Sequence, residues 1–226
     1  MKVLLVCGSP EVAGADVLRG AAARCDAVVA VDRGLDAALS AGLTVDLFCG
    51  DADTVSAQGR QLVVRALNAI SGSVPFDVER YDPYKDATDL ALALSAVKRR
   101  WPGADICATC ATGGKPDLNL TVLGQLLAYR AGSVSLVEDA FEARLLHGGM
   151  TWGIHGAAGR RFSIVSLSDG CIVSEDGLHW SLDHAALPLL GDRGVSNYVD
   201  RSGHAAVVCH AGSAIAYLFN ETSPLA

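Results

Sequence analysis

The sequence predicts an α/β region followed by an all-β region, and three observations carry that expectation. Over residues 1–137, short apolar runs alternate with helix-period patterns, as in a mostly parallel sheet covered by helices. From about Met150 onward no long helical pattern occurs, and strand-like runs are separated by glycine-rich turns, as in a β-sandwich. Half of the 226 residues are hydrophobic and 19% are charged, which excludes a disordered chain. A chain of this length buries roughly 70% of its unfolded surface, so it needs no disulfide or metal to hold it together.

The elements follow in order. Residues 3–7 form an apolar first strand, broken by Gly8-Ser9-Pro10. Residues 11–24, with Val12, Leu18 and many alanines, suit a first helix, and residues 27–31 a second strand. A short helix over 35–41 stops at Gly42, where a left-handed cap is expected. A third strand, 47–49, runs into Gly50-Asp51-Ala52-Asp53. A helix over 58–70 places Leu62, Val63, Ala66, Leu67 and Ile70 on one face. A turn-rich stretch, 71–75, leads to an extended segment at 76–81. The next helix carries an unbroken stripe of Leu90, Leu94, Val97 and Trp101, with Asp86 as N-cap and Asp89 complementing the helix dipole. A strand over 104–111, a helix over 117–131 and a strand over 133–137 close this region. In the second region, strands are expected at 152–155, 161–167, 171–174, 194–199, 204–210 and 213–219, with the boundary between 139 and 151.

Composition narrows the function. No apolar stretch reaches the ~18 residues that span a bilayer, and residues 2–7 are too short for a signal sequence. Seven cysteines, an odd number, fit a reducing compartment. A cytoplasmic protein without a membrane partner is therefore expected. Cys107-Ala108-Thr109-Cys110 has redox spacing, but in a strand its two thiols face opposite sides and no second pair completes a zinc site. A net charge of −7 argues against a nucleic-acid partner.

Ligands of parallel sheets bind at the carboxyl ends of strands, and four polar clusters fall at such ends or open the following helices. They are Asp32-Arg33-Gly34, Gly50-Asp51-Ala52-Asp53, Lys85-Asp86-Ala87-Thr88-Asp89 and Thr112-Gly113-Gly114-Lys115-Pro116-Asp117. Taken alone, Asp51 and Asp53 are more simply a solvated acidic turn. In an extended segment, however, residues i and i+2 face one space, and Mg²⁺ prefers one or two carboxylates plus phosphate oxygens and waters. A glycine pair entering a helix lets backbone N–H groups approach a phosphate. The spacing is not that of a Walker loop or of a dinucleotide fingerprint. Together the clusters describe a Mg²⁺-nucleotide-dependent transferase of unspecified substrate.

The order and spelling of these motifs resemble the thiamine pyrophosphokinase (thiamin diphosphokinase) family. The later Gly177-Leu178-His179-Trp180 and Ser196-Asn197 extend the match over nearly the whole chain. The resemblance implies transfer of pyrophosphate from ATP to thiamine, giving thiamine pyrophosphate and AMP. It implies a mostly parallel Rossmann-like α/β/α domain over 1–140, binding ATP and Mg²⁺. It also implies a β-sandwich over 141–226 for thiamine binding and dimerisation, with the thiamine site built across a homodimer from both domains.

By the same resemblance Asp51, Asp53 and Asp89 would hold Mg²⁺, with Asp117 a fourth catalytic acid. Asp32, Lys85, Thr88, Gly113, Gly114 and Lys115 would contact ATP, and Trp180, Ser196 and Asn197 would bind thiamine. The chain departs from the family spelling at Val45, Ala52, Thr54 and Lys115, and at Leu118 and Val122, where His and Asn are usual. Two other readings are compatible with these residues: a pyrophosphokinase acting on a hydroxymethyl pterin, and a degenerate protein that binds thiamine or nucleotide without turnover.

Overall fold

The computed structural model describes residues 1–69 and 75–223. The chain divides into two compact units, Met1–Glu138 and Asp139–Ala226. The predicted helix end at Ile70 and the turn-rich residues 71–74 lie outside the described residues.

The first unit is α/β. Its strands are β1 (Lys2–Val6), β2 (Ala27–Val31), β3 (Leu47–Gly50), β4 (Asp77–Arg80), β5 (Asp105–Thr109) and β6 (Val134–Val137). They pair in parallel in the order β6-β5-β1-β2-β3-β4. Because the order runs outward in both directions from β1, the β1/β5 edge is the point where connections change sides, the usual place for a ligand. The central strands read as continuous apolar runs because both of their faces are covered: β2 is buried along its whole length. Leu4, Leu5, Leu47 and Phe48 are fully buried, each contributing roughly 1.5–3 kcal/mol relative to exposure.

Among the described residues, five helices connect these strands: α1 (Ala15–Ala22), α2 (Gly34–Ser40), α3 (Ala57–Asn68), α4 (Asp89–Arg100) and α5 (Pro116–Ala128). α1 begins four residues later than its pattern suggests; Gly14 stands at its N-cap and Val12 is exposed. α2 ends before Gly42, whose φ of 74° confirms the left-handed stop. On α3, Val63 and Ala66 are buried but Leu67 is 45% exposed, so the predicted apolar face is narrower than expected. α4 is capped by Thr88 and not by Asp86: the Thr88 hydroxyl accepts from Ala91 N at 3.2 Å, and Asp86 is exposed two residues upstream. Its stripe of Leu90, Leu94 and Val97 is buried, while Trp101 falls at the C-cap. Pro116 opens α5, where its missing N–H costs nothing.

The second unit contains two antiparallel sheets. One has the order β12-β9-β14-β7, from β7 (Phe141–His147), β9 (Arg160–Ser166), β12 (Asn197–Tyr198) and β14 (Ser213–Thr222). The other is β11-β10-β13-β8, from β8 (Met150–Ile154), β10 (Cys171–Asp176), β11 (Leu182–Leu187) and β13 (Ala205–Ala211). Phe162 and Ile164 from the first sheet share one buried cluster with Trp152, Val173 and Val207 from the second.

Two of these strands escape the sequence pattern. β7 lies in the stretch assigned to the boundary, and its burial does not alternate cleanly. β11 is an edge strand spelled Leu-Asp-His-Ala-Ala-Leu, poor in β-branched residues. The strand expected over 194–199 shrinks to two residues. Among the described residues, no helix is long and apolar enough to cross a membrane.

Candidate active site

Strands β2, β3 and β5 each deliver their chain into the first unit's cleft through a non-glycine residue with positive φ. These are Asp32 (47°), Ala52 (64°) and Cys110 (51°). Such conformations persist where surrounding structure imposes them, and they cluster at functional sites. Ala52 also changes how the acidic pair converges. β3 ends at Gly50, and Asp51 and Asp53 flank a left-handed residue instead of alternating along a strand. The Asp53 N–H closes the turn by donating to Asp51 Oδ1 at 3.1 Å.

Asp32, Asp51 and Asp53 bring one carboxylate oxygen each within 4.8 Å of one another. Asp32 is buried, and its Oδ1 has no partner among the described residues, while Thr54 donates its hydroxyl to Oδ2. Burial and the charges of Asp51 and Asp32 push the Asp53 carboxyl above the usual range. Burial also lifts Asp51, but hydrogen bonds from Lys85 and the Asp53 backbone outweigh it, and the net shift is downward.

Lys85 bridges two acids, donating to Asp51 Oδ2 at 2.7 Å and standing 3.1 Å from Asp89 Oδ1. Burial alone would lower the Lys85 pKa, but the two carboxylates raise it. Asp89 moves the other way from Asp51 although both face the same ammonium. Its burial, with Asp51 and Asp32 nearby, exceeds what the longer ion pair returns. Asp89 therefore stands with Lys85, and the third member of the carboxylate group is Asp32, which the sequence motifs assign to the nucleotide. Asp51 meets the same ammonium more closely than Asp89 does, and Asp89 Oδ1, like Asp32 Oδ1, is buried without a hydrogen-bond partner among the described residues, so Lys85 does not by itself separate Asp89 from the other acids. Three converging carboxylates with an unpartnered oxygen make an all-oxygen donor set, which fits a hard cation such as Mg²⁺.

Beside this group is a cavity of about 530 Å³, lined by residues that include Asp32, Thr88, Asp89, Gly113, Gly114 and Lys115. The Gly113-Gly114 turn has φ values of 97° and 75°, and side chains there would strike Glu11 and Pro10. Gly114 N donates to Glu11 Oε1 at 3.1 Å, so a carboxylate already rests on the glycine turn expected to meet phosphate. Thr88 donates to Gln125 Oε1 at 3.0 Å. Leu118 and Val122 line the cavity where the family's His and Asn are usual, making that wall apolar. Asp117 is exposed in the first turn of α5 and belongs neither to the cavity lining nor to the carboxylate group.

Glu138 had no sequence signal beyond its place after β6. Its two oxygens accept from Cys110 N at 3.1 Å and Ala111 N at 2.8 Å, anchoring the loop that carries the glycine turn.

In the second unit, Trp180 is 50% exposed, edge-on to His179 at 4.5 Å, and His179 stacks on Tyr198 at 4.6 Å. Asn197 is buried and saturated. Its Oδ1 accepts from Trp180 N (3.1 Å) and Tyr198 N (2.9 Å), and its Nδ2 donates to Trp180 O (2.8 Å). Asn197 thus clamps the backbone of Trp180 and offers little to a ligand. Ser196 is exposed at φ 61°, its N–H donating to Ser163 Oγ at 3.0 Å.

A vacant carboxylate group and a glycine turn at the carboxyl edge of a parallel sheet define an α/β enzyme of phosphoryl-group chemistry. The model of the thiamin pyrophosphokinase catalytic domain matches residues 18–137. The chain belongs to the thiamin pyrophosphokinase family, and its activity is thiamine diphosphokinase activity.

Solved structures agree on the fold. Thiamine pyrophosphokinase from Bacillus subtilis is 20% identical over 98% of this chain and 100% of its own, with a TM-score of 0.79. The Geobacillus thermodenitrificans enzyme is 22% identical over 99% of both chains, with a TM-score of 0.76. The Candida albicans enzyme is 14% identical over 97% of this chain and 89% of its own, with a TM-score of 0.77. No curated protein sequence matches the chain.

Proposed function

We propose that the first unit's cleft is where the pyrophosphoryl group leaves ATP for the hydroxyl of thiamine, with AMP departing. The observation that carries this reading is the group of Asp32, Asp51 and Asp53, with a buried oxygen left vacant beside a cavity of nucleotide size. A Mg²⁺ ion held by these acids would neutralise phosphate charge. Lys85 would supply a second positive charge to the phosphates while holding Asp51 and Asp89 in place, and Gly113, Gly114 and Lys115 would meet the polyphosphate once Glu11 yields the Gly114 N–H. Thr88 would face the nucleotide from the start of α4. Asp53, whose carboxyl burial and the charges of Asp51 and Asp32 hold above the usual range, would be the nearest acid to accept the hydroxyl's proton. Asp117, read from its motif as a fourth catalytic acid, would act from outside both the cavity lining and the carboxylate group.

The second unit, read as a β-sandwich whose two sheets enclose one core, would bind thiamine. Trp180 offers an exposed aromatic face to a cationic ring, a contact worth about 0.5–2 kcal/mol. Ser196 and Asn197 shape the adjoining loop. A homodimer is part of this reading: Leu189, Leu190 and Val195, on the loop after β11, are exposed apolar side chains of the kind that mark association surfaces. Light scattering should return twice the chain's 23.4 kDa, and a monomer with full activity would contradict it. A cytoplasmic setting accords with cysteines that form no disulfide.

Incubation with ATP, Mg²⁺ and thiamine should yield AMP and thiamine pyrophosphate in equal amounts. AMP formed with a hydroxymethyl pterin but not with thiamine would sink the proposal. Tight thiamine binding without AMP would mark a degenerate binder.

A further inference from the structure

Along β10 the buried positions alternate as Cys171, Val173 and Glu175, so strand geometry turns a carboxylate toward the apolar interior. Glu175 is 2% exposed. Its Oε2 accepts only a long 3.4 Å hydrogen bond from Asn197 Nδ2, and its Oε1 has no partner among the described residues. Glu138, the other deeply buried glutamate discussed above, differs sharply: both of its oxygens accept backbone N–H groups. Glu138 is thus a structural brace, whereas Glu175 braces nothing with Oε1.

Glu175 lines a cavity of about 190 Å³ with Trp180, Leu182, Arg193, Gly194 and Asn197. A Cβ built on Gly194, in the cavity wall, would lie 3.8 Å from Oε1. Glu175 therefore shares one cavity with two of the residues assigned to thiamine, its unpartnered oxygen lying near the Gly194 wall.

We propose that Glu175 reads the aminopyrimidine ring of thiamine, pairing its carboxyl with the 4-amino group and the neighbouring ring nitrogen. The inference rests on the reading that Trp180 and its loop bind thiamine. The chemistry matches edge to edge. A 4-aminopyrimidine presents an N–H donor beside a nitrogen acceptor, and a carboxylic acid presents the complementary acceptor and O–H donor. Burial pushes the Glu175 carboxyl up to about 7, against the pull of the Asn197 amide. Near neutral pH the proton can then sit on either partner without breaking the pair. Arg193 lines the same cavity, and Asp176 and Asp183 line an adjoining pocket with Glu175. Asn197 is the positioning residue, holding both Glu175 and the Trp180 backbone.

The test pairs Glu175→Leu, which removes both acceptor and donor, with a thiamine analogue carrying hydrogen in place of the 4-amino group. Wild-type protein should prefer thiamine over the analogue. E175L should lose about tenfold in thiamine affinity, lose that preference, and keep its KM for ATP. Unchanged discrimination in E175L overturns the inference while leaving thiamine turnover intact. Failure of the wild type to bind thiamine overturns the inference and the reading beneath it together.

Folding is checked by melting at pH 8. A raised native pKa means that stability is present at low pH and falls as pH rises through about 7, so E175L should melt no lower than wild type there. Glu175→Asp, which keeps the carboxyl but withdraws it by one methylene, gives the same readout if E175L does not fold.

Discussion

Replacing Asp53 with Asn should abolish turnover without weakening the fold. Asp53 shares its space with Asp51 and Asp32, all within 4.8 Å, and burial and the neighbouring negative charges already hold its carboxyl above the normal range. Without a cation the group repels itself, and a neutral amide removes one of the three charges. Asp53→Asn should therefore melt no lower than wild type in metal-free buffer. With ATP, Mg²⁺ and thiamine, the same change removes a ligand and a charge from the place where phosphate charge must be neutralised. A loss of at least about 100-fold in kcat is expected, the scale seen when preorganised electrostatic stabilisation is removed. Stability and activity thus move in opposite directions, which a merely structural aspartate would not do. Near-normal kcat at saturating Mg²⁺ would take Asp53 out of the site.

The second large effect is expected at Gly34, where α2 passes over the end of β1. A Cβ there would lie 1.9 Å from Val6 O, 2.7 Å from Val6 C and 2.9 Å from Cys7 O. All three are backbone atoms, so no side-chain rotation relieves the overlap. α2 would have to lift off the sheet, and Asp32, two residues upstream at φ 47°, would move with it. Overpacking of this kind costs at least about 3 kcal/mol, or roughly 6–12 °C of melting temperature in a chain of this size. Gly34→Ala should also lose activity at temperatures where it remains folded, because the carboxylate group is displaced. Gly20 is the internal control. It sits on α1 with nothing within 4 Å of a Cβ, so Gly20→Ala should be neutral or stabilise by up to about 1 kcal/mol. Equal melting temperatures for the two variants would refute the close-approach account.

The motif Asp32-Arg33-Gly34 shows how far a sequence carries. Its spelling marks a strand end, but the need for glycine comes from a contact with Val6 and Cys7, twenty-seven or so positions away in the chain. The acidic pair is similar. Asp51 and Asp53 do converge, yet by a turn through left-handed Ala52 and not by strand alternation. Which acids group together was not legible, because Lys85 could satisfy any of them. In the folded chain it stands between Asp51 and Asp89 and leaves Asp32 Oδ1 without a partner among the described residues. Asn197 is read from its motif as a ligand-binding residue, but its donors and acceptor are engaged by Trp180, Tyr198 and Glu175. β7 and β11 were missed because local pattern is weak where pairing with a neighbouring strand supplies the stability.

By itself the sequence determined the alternation of strands and helices, the all-β character of the second unit, the four polar clusters and the family. These are local or ordered properties: period, spelling and spacing along one dimension. Tertiary structure alone decided the partnership of Lys85, the vacancy at Asp32, the Glu11 carboxylate on the glycine turn, and the burial of Glu138 and Glu175. Each of these depends on which distant groups share a space and what that space desolvates. A carboxylate looks the same in sequence whether it braces a loop, pairs with lysine or waits for a ligand; its neighbours in three dimensions set its charge and its role.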